Sequence, residues 1–93
     1  MLISPEEIKK SLSSSGWQYL NEKIMKNYDF DSYMGGLSFV QKIANLAEKH
    51  NHHPDIMISY CTIQVSISSH QMNGVTTKCV NLATAINTLE NKN

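Results

Sequence analysis

The chain has 93 residues, 41% of them apolar, with eight Lys and Arg balanced by eight Asp and Glu. That length suits one domain over residues 1–93 with a modest core, for which self-association is a natural way to bury more surface. A formal net charge of zero without any Lys/Arg block argues against nucleic acid or an anionic membrane as partner.

Ser4-Pro5-Glu6-Glu7 opens a short helix: Ser4 caps free N–H groups, Pro5 suits the first helical position, and Glu7 completes a capping box. It ends by Ser13-Ser14-Ser15-Gly16. Trp17 to Leu20 reads as a strand, Asn21-Glu22 as a turn, and Lys23 to Phe30 as a second strand with Ile24, Tyr28 and Phe30 on one face. From Asp31 or Ser32 to about His50 the period is helical, with Leu37, Val40, Ala44 and Ala47 as a stripe widened by Phe39, Ile43 and Leu46. Gly35 and Gly36 each cost about 1 kcal/mol there relative to Ala, which points to a closely packed backbone, as at a subunit contact.

Pro54 forbids helical continuation and pushes His53 toward an extended conformation. Ile56, Ile58 and Tyr60 then alternate on one face, and Ile63, Val65 and Ile67 alternate in the opposite phase, so a turn or bulge lies near Cys61-Thr62. The polar face of the second segment runs through Thr62, Gln64, Ser66 and Ser68 to His70, which puts His70 at a strand end. Asn73-Gly74 signals a turn, and Thr76 caps a last helix with Cys79, Leu82, Ala83, Ile86 and Leu89 facing inward. The order α-β-β-α-β-β-α implies an α+β two-layer sandwich: a four-stranded antiparallel sheet with helices on one face. The other face, or an edge, is left for a site or a partner.

All four histidines fall within residues 50–70. Imidazole is the only side chain whose unperturbed pKa, about 6.5, lets it give or take a proton at neutral pH. His50, in a last helical turn, suits the helix dipole. His52, His53 and His70 provide enough nitrogens for zinc, but adjacent histidines on an extended chain point opposite ways, and no metal-binding spacing is present. Acid–base work needs less exact convergence, since groups on either side of a bound ring can serve different atoms. Cys61 and Cys79 lack metal-type spacing and read as buried free thiols of a reducing, cytoplasmic compartment. No apolar run nears the ~20 residues that span a bilayer.

The run Glu48-Lys49-His50-Asn51-His52-His53-Pro54-Asp55-Ile56, then Tyr60, His70 and Gly74-Val75-Thr76-Thr77-Lys78, resembles the pterin-4a-carbinolamine dehydratases. Glu48, His52, His53, Pro54, Tyr60 and His70 match that family's spacing, and Trp17, Phe30, Phe39, Val40 and Ala47 extend the likeness over nearly the whole chain. The resemblance implies a small α+β fold, often dimeric or tetrameric, that dehydrates 4a-hydroxytetrahydropterin to quinonoid dihydropterin with no metal and no organic cofactor. It makes His52 and His70 the candidate general acids at the hydroxyl, and it gives His53 the task of holding the pterin, nearest the base role. It adds Pro54, Ser69, Gln71 and Met72 as substrate contacts, with Glu48 and Asp55 as carboxylates able to orient an imidazole. One position departs: Cys79 stands where the family usually has aspartate, and its plainest reading is a small apolar filler. Two rivals follow from the same residues. One is an interaction module, since some relatives are dimerisation cofactors of a transcription factor; the other is a metal-dependent enzyme.

Overall fold

A computed structural model describes residues 1–89 and the backbone of residue 90. Its elements run α1 (Pro5–Leu12), a 3₁₀ turn (Ser13–Ser15), β1 (Gln18–Leu20), β2 (Lys23–Asp29), α2 (Tyr33–His50), β3 (Asp55–Ser59), β4 (Thr62–Ile67) and α3 (Thr77–Glu90). The sheet order is β1-β2-β4-β3, and every neighbouring pair is antiparallel. This is the α+β sandwich implied by the order of elements. Among the described residues no helix is long and apolar enough to cross a membrane.

Local chemistry accounts for most boundaries. Ser4 Oγ accepts from the Glu7 N–H at 3.2 Å, and Pro5 occupies the first turn of α1. Gly16 closes the 3₁₀ turn at φ 92°, a conformation that costs glycine nothing. Asn21 and Glu22 both take positive φ, the primed turn whose twist matches a two-residue hairpin, so β1 and β2 pair without slack. Ser32 caps α2 by accepting from the Gly35 N–H.

Register decides the core. Ile24, Tyr28, Ile63, Val65 and Ile67 lie on one face of β2 and β4, with Ile24 opposite Ile67 and Tyr28 opposite Ile63. That face is buried under α2 and α3, where Phe39 and Ile43 meet Cys79, Leu82, Ala83 and Ile86. Phe39 joins Tyr28 and Phe30 by tilted ring contacts at 4.7 and 5.2 Å. Trp17 is buried, and its indole Nε1–H donates to Asn87 Oδ1 at 2.9 Å, tying the start of β1 to α3. Trp17→Phe removes that donor and part of the ring, so urea unfolding should show a loss of about 1–2 kcal/mol. An unchanged midpoint would mean that the bond contributes nothing net.

The structure refines several expectations about packing. The inward stripe of α2 is Gly36, Phe39, Ile43 and Ala47, whereas Ala44 is exposed. Gly36 is small for a reason inside the chain: a Cβ there would lie 3.3 Å from Ile63 Cδ1. At Gly36 the close approach is helix to sheet. Ile58 and Tyr60 are exposed because β3 is an edge strand and the turn at Tyr60 carries its ring outward. Of the two thiols Cys79 is buried, while Cys61 is only partly so.

Candidate active site

The cleft does not lie on the open face of the sheet. It lies at one end, where three chain segments meet: residues 51–53 after α2, residues 68–72 after β4, and residues 76–78 at the start of α3, with Met1 beside them. Its volume is about 570 Å³, within the range usual for small-molecule sites.

Backbone geometry delivers each imidazole. The last turn of α2 closes in a Schellman motif: the Asn51 N–H bonds Glu48 O at 3.3 Å and the His52 N–H bonds Ala47 O at 3.1 Å, with Asn51 left-handed at φ 50°. Asparagine tolerates that conformation better than most residues. The chain is thereby reversed, and the His52–His53 pair enters the cleft before Pro54 starts the next strand. His70 belongs to a tight loop, three residues beyond Ile67 where β4 stops, and not to the strand end expected for it. Ser69 and Gly74 pair across that loop by backbone bonds of 2.8 and 3.3 Å, and Ser69 Oγ accepts from the Met72 N–H at 3.2 Å. A framed loop holds His70, Gln71 and Met72 against the cleft.

The two adjacent histidines have different partners. His53 Nε2 lies 2.6 Å from Glu48 Oε2, with both side chains more than half exposed. A ring that donates Nε2–H to a carboxylate is left with Nδ1 as the nitrogen able to accept. His52 turns Nε2 inward, 3.2 Å from Cys79 Sγ, and that sulfur also lies 3.4 Å from Thr76 Oγ1. Burial holds the His52 pKa below the ordinary imidazole value, and Lys78, His53, His50 and His70 push it the same way. Of the three imidazoles in the cleft, His52 is therefore ill suited to arrive already charged, which weighs against the general-acid role expected for it.

The structure brings His52, His53, Ser69, His70, Gln71 and Met72 to one cleft, with Glu48 one bond behind His53 and Cys79 one contact behind His52. Pro54 shapes the chain beside it without lining it. Asp55 opens β3 opposite Ser66, exposed and outside the cleft lining, and Glu48 is the carboxylate that meets a histidine. Thr76, Thr77 and Lys78 line the cleft; the sequence marks Thr76 as a helix cap and all three within the family-like run, not as site residues. The signal for Lys78 was a cation in the first turn of a helix, where the dipole disfavours it. Among the described residues the cleft wall holds no carboxylate, and no three His, Cys, Asp or Glu side chains are grouped to hold a metal ion.

The sequence model of the family described as Pterin 4 alpha carbinolamine dehydratase matches residues 1–89. The chain belongs to this family. A relative from Sulfolobus acidocaldarius, provisionally named a pterin-4-alpha-carbinolamine dehydratase, is 35% identical over 97% of this chain and 100% of its own. The crystal structure of a transcriptional coactivator/pterin dehydratase from Brucella melitensis superposes with a TM-score of 0.88 at 27% identity, covering 96% of this chain and 98% of that one. A pterin dehydratase-like protein described as a RuBisCO assembly factor in the alpha-carboxysome shares the fold, with a TM-score of 0.64 at 19% identity over 78% of this chain and 84% of its own. The pterin dehydratase fold thus carries at least two described kinds of role.

Proposed function

We propose that residues 1–93 form one pterin dehydratase-like domain that converts a 4a-hydroxytetrahydropterin to quinonoid dihydropterin and water, by histidine acid–base catalysis without metal or organic cofactor. The observation that carries this is the convergence of His52, His53 and His70 on one cleft. Loss of the 4a-hydroxyl requires a proton on that oxygen, while N5 gives up its proton and its electron pair forms the C4a–N5 double bond. His70 is the acid at the hydroxyl. His53, with Nε2 tied to Glu48, takes the N5 proton on Nδ1. The proton then passes back to the acid through solvent, and water leaves. Backbone groups of Ser69, Gln71 and Met72 meet the amide edge of the pterin, and Pro54 fixes the approach of His53. The protein works in the cytoplasm as a homodimer or homotetramer, consistent with the exposed Met57, Ile58 and Tyr60 on and beside edge strand β3.

A turnover assay with freshly generated 4a-hydroxytetrahydropterin tests this. Dehydration should exceed the uncatalysed rate and survive a strong chelator. No acceleration would reject the enzyme, and loss on chelation would reject the metal-free mechanism. A second reading, an interaction module with weak or lost activity, is favoured by the coactivator and assembly-factor descriptions of the two solved structures. Three imidazoles held at one cleft weigh against it, because a protein-binding surface has no need of them.

A further inference from the structure

We propose that Cys79 is a positioning residue for His52: its thiol donates S–H to Nε2 and holds the ring in the neutral form with the proton on Nδ1. The sulfur lies 3.2 Å from Nε2 and 3.4 Å from Thr76 Oγ1, and Cys79 is fully buried in the first turn of α3. Two proton arrangements satisfy these contacts. In one, Nε2–H points at sulfur and S–H at the threonine. In the other, the Thr76 hydroxyl donates to sulfur and S–H donates to Nε2. Sulfur donates once and accepts once in either arrangement, but the unprotonated imidazole nitrogen is a stronger acceptor than the threonine hydroxyl and lies nearer the sulfur, so the second arrangement gives S–H its better partner.

The consequence reaches the chemistry. With Nε2 occupied from behind, Nδ1–H is the polar edge His52 has left for the cleft that it lines. Protonating Nε2 would exchange an acceptor facing a donor for a cation facing a weak acceptor. The surroundings agree: Lys78 on α3, His50 at the end of α2, His53 and the loop residue His70 all oppose a charge there, as does burial. A carboxylate in place of the thiol would accept Nε2–H and favour the imidazolium. His52 therefore serves as a fixed neutral donor that orients the leaving hydroxyl, while the transferred protons belong to His53 and His70. This last assignment rests on the dehydratase reading; the pairing of thiol and ring does not.

Long-range proton–nitrogen NMR correlations of the ¹⁵N-labelled protein read the tautomer directly. His52 should carry its proton on Nδ1 at neutral pH and titrate below the ordinary imidazole value. In Cys79→Asp its midpoint should rise by about one pH unit, a tenfold gain in proton affinity, while Cys79→Ser keeps the wild-type tautomer. A proton on Nε2 in the wild type, or one common midpoint in wild type, Cys79→Asp and Cys79→Ala, would overturn the proposal. The wild-type tautomer decides it even where a variant fails to fold. Absence of any turnover would count against the functional reading alone, because the NMR measurement needs no substrate.

Discussion

His70→Ala and His53→Ala should each lower dehydratase turnover by about 10²-fold or more while leaving the fold intact. Both side chains stand at the cleft and outside the core: His70 is exposed on its loop, and the His53 ring is 57% exposed. Removing either ring opens no buried cavity, so far-ultraviolet circular dichroism and the melting temperature should change little. The loss should fall on kcat more than on KM, because on the proposed mechanism proton transfer is realised in the transition state, while the cleft offers a pterin several other groups to bind. Near-normal turnover in both variants would remove the acid–base assignment altogether.

Ile63→Ala should be the most damaging of the simple core truncations, at about 3–4 kcal/mol. Ile63 is fully buried, sits opposite Tyr28 on β2 and Ile58 on β3, and lies directly beneath Gly36 of α2. Because the helix has already discarded a side chain to approach it, nothing nearby can swing in to fill the space. For a domain of this size the melting temperature should fall by about 15 °C or more. Leu20→Ala, at a residue more than half exposed, should stay within about 0.5 kcal/mol of wild type. A loss below about 1 kcal/mol at Ile63 would mean that α2 settles onto the sheet and closes the gap.

Features governed by near neighbours were legible in the sequence. The Ser4 cap, the Asn21-Glu22 turn, the start of α2 after Ser32 and the inward stripe of α3 depend on residues within a few positions of one another. The facing of α2 was less legible. Leu37, Phe39, Val40, Ile43, Ala44, Leu46 and Ala47 cover a wide arc, and periodicity cannot choose a direction within it. The sheet chooses, because Ile63 can be approached only along the line of Gly36. The exposure of Ile58 and Tyr60 was illegible for a related reason: alternation marks a strand but does not tell an edge from a centre. At the site, the pattern of histidines pointed to segments that meet at one cleft. It did not reveal that His52 and His53 have opposite supports, a buried thiol and an exposed carboxylate, since those contacts join α2 to α3 or double back within one turn. Lys78 stood in the sequence only as part of the family-like run; the unfavourable place of its charge in the first turn of α3 is what marks it.

The left-handed residue that ends α2 makes the chemistry hostage to a position that transfers no proton. Both neighbouring imidazoles take their bearing from Asn51, whose backbone swings the chain around as the helix stops. A branched side chain at that spot would strain the reversal and swing two rings off target together, while every histidine remained in the sequence. A chain that keeps all three cleft histidines can thus lose their arrangement for want of one residue that accepts the left-handed conformation.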